Sequence, residues 1–360
     1  MVVYRKVVEM EKININGSTS YDVIIESGIL DRVGELVRDE LAGEKALIVT
    51  DSNVAALYLN TVADSLRAAN YEIKDFIVEP GDASKSMDNY SKLLSALAEN
   101  EFSGTDLVVA LGGGMVGDLA GFAAATYKRG MHCIMIPTSL LAAVDASVGG
   151  KTAINLPSGK NQVGTIRNPS IVICDPNTMS TLSDAALHEG YAEVLKYGIL
   201  TGEKIIRALR VATKTGDYSE VIRLSVAIKK SVVEKDEGDH EMRQFLNLGH
   251  LVGHAIEAFR GYEISHGQAV AQGLDIESHC AALAGLIDIS TDMEIAALLE
   301  VFGFDTSEEY SLADLQPYLM RDKRLRDGTI NIIIPKKIGD CIMVPAEASK
   351  IPEYFGRGLL

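Results

Sequence analysis

Up to about residue 178 the chain alternates short β-branched runs with helix-like stretches, and no other feature narrows the choice of fold so far. Strand-like runs at 46–50, 71–78, 107–111 and 133–137 are separated by helical stretches near 54–69, 87–98 and 116–127. Parallel strands need a long crossover and a helix supplies it, so this rhythm predicts a largely parallel sheet covered by helices. From about Leu182 apolar residues recur instead at three- and four-residue spacing through 185–200, 218–233, 250–259 and 269–286. The second half is therefore expected to be mainly helical, with one strand-like run at 329–335 standing apart. The 360 residues suit about two domains, expected at 1–178 and 179–360. No repeat, low-complexity tract or Pro-rich linker separates the halves, which predicts that they pack closely and share a cleft.

Composition excludes several classes of function. Hydrophobic residues make up 47% and charged ones 23%, away from the compositions that stay disordered. The net charge is −16, so neither nucleic acid nor an anionic membrane is an expected partner, because both need an extended positive field. Cys133, Cys174, Cys280 and Cys341 stand far apart with no paired spacing. That argues against a disulfide framework or a zinc knuckle, and a reducing, cytoplasmic compartment is expected. The first twelve residues carry Arg5, Lys6, Glu9, Glu11 and Lys12 without a long apolar core, unlike a signal peptide. Residues 107–127 are apolar, but Asp118 and Gly112-Gly113-Gly114 interrupt them, so they read as strand, turn and buried helix rather than a membrane span.

The glycines belong to a phosphate-cradle pattern. Gly112, Gly114 and Gly117 give GxGxxG after a strand and at the start of a helix, where bare backbone and free N–H groups suit a pyrophosphate. The ordinary fingerprint places a ribose-binding acid about 20 residues on; here that region is the strand at 133–136. Asp51, at the end of the first strong strand, is the better ribose candidate, with helix capping as the plain alternative.

In the helical half, His250 and His254 are four residues apart and share one helical face. That spacing suits one metal ion, or one ligand beside an acid/base neighbour, and it does not choose between the two imidazoles. His266 follows at the start of another helical run, and Glu193 lies on an earlier helix with Lys196 one turn away. Two His and a carboxylate make an open catalytic metal set. His132, His188, His240 and His279 fall outside the grouping and are read as ordinary structural residues. Against the acidic background stand Lys128, Arg129, Lys151, Lys160, Lys196, Lys229, Lys230, Arg243, Lys323 and Arg324. Gathered at one place they would serve a small polyanion. Lys230 and Arg324 are read as solvated, whereas Lys151 and Lys160 sit in glycine-flanked segments and are read as functional.

Residues 112–130, the run Pro137-Thr138-Ser139 through Gly149-Gly150-Lys151-Thr152, Gly159-Lys160-Asn161, residues 192–198, residues 247–257 and His266-Gly267 together resemble the 3-dehydroquinate synthase family, in order and over nearly the whole chain. The resemblance implies an N-terminal nucleotide-binding α/β domain and a helical metal-binding domain. It implies conversion of 3-deoxy-D-arabino-heptulosonate 7-phosphate, a small anionic sugar phosphate, to 3-dehydroquinate, with NAD and one divalent ion, Zn or Co. Transient oxidation of the carbon 5 hydroxyl acidifies the neighbouring C–H so that phosphate can leave, and the hydride is returned before ring opening and aldol closure. The elimination base is expected to be the substrate's own phosphate.

The same resemblance implies roles for particular residues. Glu193, His250 and His266 would be the metal ligands and His254 a neighbour engaged with substrate. Lys151, Asn161, Lys229, Arg243, Asn247 and Lys323 would hold the carboxylate, hydroxyls and phosphate, with Asp145 and Lys196 completing the polar set. Asp51, Asn53, Asp82, Lys85, Gly113, Gly114, Met115, Asp118, Thr138, Ser139, Lys160 and Thr181, together with Asp145 and Lys151, would hold the dinucleotide. Arg129 would reach the neighbouring subunit of a homodimer. Arg243 would stand about two helical turns from His250 if that helix is continuous. Departures from the family pattern are Gln268 for an acid, Leu251 and Val252 for Thr-Phe, Glu241 for a glycine, and Asp82 for Glu. The rival readings are another sugar-phosphate cyclase, which would leave Arg243 without a carboxylate partner, and a glycerol dehydrogenase-like polyol dehydrogenase, which has little use for Lys151 and Lys160.

Overall fold

The structure is a computed structural model that describes residues 10–322 and 324–359. Lys323 lies outside the described residues. The chain divides into two units, one running up to Ser183 and taking in Gly216–Glu237, the other comprising Asp184–Thr215 and the chain from Gly238 on.

The first unit is built on β1 (Glu11–Ile15), β2 (Tyr21–Ile25), β3 (Lys45–Asp51), β4 (Glu72–Val78), β5 (Leu107–Gly112), β6 (His132–Pro137), β7 (Lys151–Leu156), β8 (Gly159–Ile166) and β9 (Ile171–Cys174). Seven of these form one sheet in the order β1-β2-β9-β6-β5-β3-β4. All its pairings are parallel except β1 with β2. The expected parallel sheet is present, with helices Asn60–Ala68, Met87–Glu99 and Gly114–Thr126 following β3, β4 and β5. β5 is buried throughout and Gly114–Thr126 is apolar nearly all round, as expected of a strand and helix inside an α/β layer. The short β1, β2 and β9 and the separate β7–β8 hairpin were not legible as strands.

Because β4 lies on one side of β3 and β5 on the other, the order of the sheet reverses there. Ligands of open α/β sheets bind beyond the strand C-termini at such a switch point. Asp51 ends β3 and Gly112 ends β5, so both stand at that edge.

Helix Ser219–Val233 was expected in the second domain but packs in the first unit, against β1, β2 and the turn Ala142–Ala146. Glu234 and Glu237 just beyond it accept hydrogen bonds from the loop of Asn16 and Ser18.

The second unit contains helices Asp184–Thr201, Glu203–Thr215, His250–Phe259, His266–Leu283, Ile289–Val301 and Leu312–Leu319. The strand-like run at 329–335 is β10 (Thr329–Lys337), paired antiparallel with β11 (Asp340–Glu347). One apolar core joins Leu251, Val252, Ile256, Leu315, Ile332 and Phe355. Two of the departures from the family pattern, Leu251 and Val252, are thus core residues. Among the described residues no helix is long and apolar enough to cross a membrane.

Candidate active site

In the first unit the glycine run joins the end of β5 to the helix that follows it. Gly113 is the extended N-cap of helix Gly114–Thr126 and offers no side chain, leaving the first N–H groups of the helix open to a ligand. Thr138 is buried and donates its N–H to Gly112 O, tying the ends of β5 and β6 together. Ser139 Oγ accepts from Ala142 N. The hollow over the glycines is lined by small residues including Gly113, Gly114, Ala146 and Ser147, and Ser147 Oγ is buried there with no hydrogen-bond partner among the described residues. A Cβ at Gly114 would stand 3.3 Å from Ala146 Cβ. Asp51 is a helix cap, its Oδ1 accepting from Asn53 N and Val54 N at 3.0 and 3.1 Å. Met115 sits in the first turn of helix Gly114–Thr126. Thr181 shares a hydrogen bond with Tyr58 Oη.

Lys85 is buried, and its Nζ reaches Asp118 Oδ2 at 2.8 Å, Asn161 Oδ1 at 2.6 Å and Asp82 Oδ1 at 3.7 Å. Asp82 also accepts from Asn155 Nδ2 and lies 3.7 Å from Lys160 Nζ. Five of the residues expected at the dinucleotide or substrate are thereby brought into one network. The two glycine-flanked lysine segments are the two strands of the β7–β8 hairpin, and Lys151 pairs at its open end while Lys160 lies by its turn. Four residues of strand put roughly 13 Å between their backbone positions, so the two lysines stand towards opposite ends of the hairpin. Lys229 Nζ lies 2.9 Å from Asp145 Oδ1 and donates to Asp145 O at 2.6 Å. Arg129 is exposed, in a turn where both it and Lys128 have left-handed backbone.

The second unit assembles the metal candidates. Glu193, 1% exposed on helix Asp184–Thr201, has Oε1 at 3.2 Å from His250 Nε2 and 3.3 Å from His266 Nε2. Its Oε2 is ion-paired with Lys196, which is equally buried. Burial resists ionisation of Glu193, but Lys196 and His250 outweigh it and hold its carboxyl well below the usual range. The three ligand atoms lie within 4.8 Å of one another, and so do those of His254, Glu257 and His266.

The second trio is the weaker. His266 presents Nε2 to Glu193 and Nδ1 to Glu257 at 3.3 Å, so an ion on Nε2 leaves Glu257 to orient the ring, the usual supporting arrangement. Burial opposes the charged imidazole of His266, yet the two carboxylates push it up to about 10. An imidazole between two acids marks a place where positive charge is wanted, and the donor set fits a divalent ion.

His254 Nδ1 lies 3.8 Å from Asp322 Oδ2, and Arg324 donates to both oxygens of Asp322 at 2.7 and 2.6 Å. Arg324 is therefore not the solvated cation that the sequence suggested, because Asp322 draws it inward. Nor is Arg243 in line with His250. Residues Met242–Asn247 form a separate 3-10 turn, and Gly249, at φ 75°, breaks the chain before helix His250–Phe259 begins. Arg243 is nonetheless 2% exposed, and Asn247 Nδ2 is buried without a hydrogen-bond partner among the described residues. The four histidines read as ordinary take structural partners: His132 with Ser170, His188 with Phe302 O, His240 with Arg326 and His279 with Asp292. Gln268, a departure from the family pattern, is turned to Asp305 O. Sequence reasoning missed Glu257, Glu277 and Asp322 as individual residues; an acid at the same helical face as a histidine was the available signal for Glu257.

The fold is of the dehydroquinate synthase-like class. A structure of 2-deoxy-scyllo-inosose synthase complexed with carbaglucose-6-phosphate, NAD+ and Co2+ superposes with a TM-score of 0.85 at 23% identity, over 97% of this chain and 100% of that one. The 2-epi-5-epi-valiolone synthase from Streptomyces hygroscopicus subsp. jinggangensis 5008, with NAD+ and Zn2+ bound, gives 0.85 at 24% over 96% and 98%. Sequence narrows the class. Residues 75–189 match the family model for the 3-dehydroquinate synthase N-terminal region and 190–325 that for its C-terminal region. A 3-dehydroquinate synthase of Streptococcus suis is 39% identical over 354 residues, 96% of this chain and 99% of that protein. One of Enterococcus faecalis is 39% identical over 344 residues, 94% and 96%. The chain belongs to the 3-dehydroquinate synthase family.

Proposed function

We propose that the chain converts 3-deoxy-D-arabino-heptulosonate 7-phosphate to 3-dehydroquinate and phosphate. The observation that carries the reading is the meeting of Glu193 Oε1 with the Nε2 atoms of His250 and His266 beside the buried Lys196, in a chain of this family. Glu193, His250 and His266 would hold one divalent ion, Zn or Co. Asp51, Asn53, Gly113, Gly114, Met115, Thr138, Ser139 and Thr181 would hold NAD, with Asp82, Lys85, Asp118 and Lys160 beside them. When bound, the dinucleotide supplies reversible hydride acceptance and the ion polarises a hydroxyl or carbonyl oxygen.

In the first unit Asn161, Lys151 and Lys229 offer donors to hydroxyls and phosphate, and Asp145 holds Lys229 in place. In the second unit Lys196 carries positive charge beside Glu193, Asn247 has a buried amide N–H to give, and His254 offers a ring nitrogen. Arg243 is assigned to the substrate carboxylate, because a guanidinium binds a carboxylate through paired hydrogen bonds. Arg129, exposed on its turn, is assigned to the neighbouring subunit of a homodimer. A reducing, cytoplasmic setting agrees with four free cysteines.

The test is incubation with the heptulosonate phosphate and catalytic NAD, following phosphate release and dehydroquinate together, with no net NADH expected. Arg243→Ala should lose at least ~10-fold in kcat/KM, since a charge-assisted bond is worth about 1.5–3 kcal/mol. The loss should fall on the carboxylated substrate and spare a heptulose phosphate lacking that group. Wild-type preference for the substrate without carboxylate would instead support another cyclase activity.

A further inference from the structure

We propose that Glu277 is a positioning residue for the metal centre, capping the helix that carries His250 and His254 from the helix that carries His266. The inference rests on the metal reading given above.

The first N–H groups of any helix lack intrahelical partners, and a Ser, Thr, Asp or Asn at the N-cap is the usual remedy. Helix His250–Phe259 cannot use it. Its N-cap is Gly249, in a left-handed conformation, where a Cβ would stand 2.6 Å from Leu274 Cγ. The helix His266–Leu283 crosses so closely that a Cβ on Gly273 would lie 2.0 Å from Gly249 O and 2.7 Å from Gly253 N. Contact between the backbones thus excludes a local cap, and the cap comes from the neighbour. Glu277 Oε2 accepts from Gly249 N at 2.9 Å, and its Oε1 accepts from Leu251 N and Val252 N, each at 3.1 Å.

These three N–H groups bracket His250 on both sides. Eleven residues separate Glu277 from His266, about three turns of helix, so the two side chains leave nearly the same face. One helix therefore sends His266 to the ion and Glu277 to the backbone beside the other imidazole ligand. The carboxylate is 2% exposed and satisfies three donors at once, which a shorter or singly accepting side chain cannot do. Sliding or rotating either helix breaks these bonds as it separates His250 from His266, so Glu277 fixes the distance on which the ligand set depends.

The test uses the full chain with Co2+ as the probe, comparing wild type, E277A and E277Q. E277Q keeps the size and one acceptor oxygen, so it reports on the idea even where E277A does not fold. Expected are a 10- to 100-fold weaker Co2+ affinity for E277A in competition with a chelator, the range typical of partners that support a ligand, and a smaller loss for E277Q. The Co2+ absorption bands should shift, and the amides of Leu251 and Val252 should exchange faster, while NAD affinity stays within twofold. Wild-type affinity and spectrum in both variants would overturn the inference and leave the metal reading standing. Failure of the wild type to bind any divalent ion would overturn both.

Discussion

The two units build their candidate sites from different materials. In the first, the cradle is main chain: strand ends, bare glycines and the open N-terminus of Gly114–Thr126. In the second, the centre is a set of ionisable side chains on three helices, in which Glu193 alone contacts Lys196, His250 and His266. Backbone at a switch point is held by the sheet and loses its use mainly when something fills the space. A cluster of buried charges depends on every member, because removing one leaves its partner charged and unpaired at a cost of several kcal/mol.

The contrast extends to two buried carboxylates that each gather backbone N–H groups. Asp106 in the first unit accepts from Glu44, Lys45 and Ser103 and from the Ser103 hydroxyl. Burial opposes its charge, but these bonds prevail and its carboxyl is held below 3.8. For Glu277 burial wins over its three N–H donors, and the carboxyl is pushed up to about 7.

The largest expected effect is at the charged centre. His250→Ala should weaken divalent-ion binding by more than about 100-fold, beyond the loss typical of supporting residues, and turnover should vanish with the ion. A chelator should abolish wild-type activity and added Zn2+ or Co2+ restore it. Full metal content and turnover in the variant, measured by elemental analysis and assay, would break the comparison.

Next come two added methyl groups. Gly273→Ala places a Cβ 2.0 Å from Gly249 O, and overpacking of this kind typically costs about 1–3 kcal/mol, so the urea midpoint should fall clearly. Gly113→Ala puts its Cβ at ordinary contact distance, 3.4 Å from Ser139 Oγ. It should leave the midpoint nearly unchanged while weakening NAD binding by about 10-fold, roughly 1.4 kcal/mol. A destabilised Gly113→Ala with normal NAD affinity would reverse the assignment.

The smallest effect is a difference in pH dependence, and its sign is opposite in the two units. The stabilisation from Asp106 is present above pH 3.8 and lost as pH falls through its lower folded value. The contribution of Glu277 to stability is full below its unfolded value of 4.5 and lost as pH rises through about 7. In urea titrations of the metal-free chain, Asp106→Asn should lower stability by about 1–2 kcal/mol at neutral pH and flatten the acid limb. Glu277→Gln should flatten the decline between 4.5 and 7. Flattening of the same limb by both would erase the distinction.

The sequence alone determined the parallel sheet, the strand-to-helix turn at Gly112 to Gly114 and the helical second half, because periodicity and glycine placement report which face of one element is buried and where its backbone must be bare. It also brought Glu193, His250 and His266 into view through residue type and family resemblance, although the four-residue spacing of His250 and His254 could not choose between them. Other features belong to the tertiary structure. Helix Ser219–Val233 joins the first unit through its packing on β1 and β2. Gly249 turns Arg243 out of the line of the metal helix, Asp322 draws Arg324 inward, and Glu257 and Glu277 acquire partners on other elements. A side chain's periodicity is set within its own helix or strand, whereas the donor or acceptor that satisfies it is supplied by whichever element packs alongside, and that choice is made only when the elements meet.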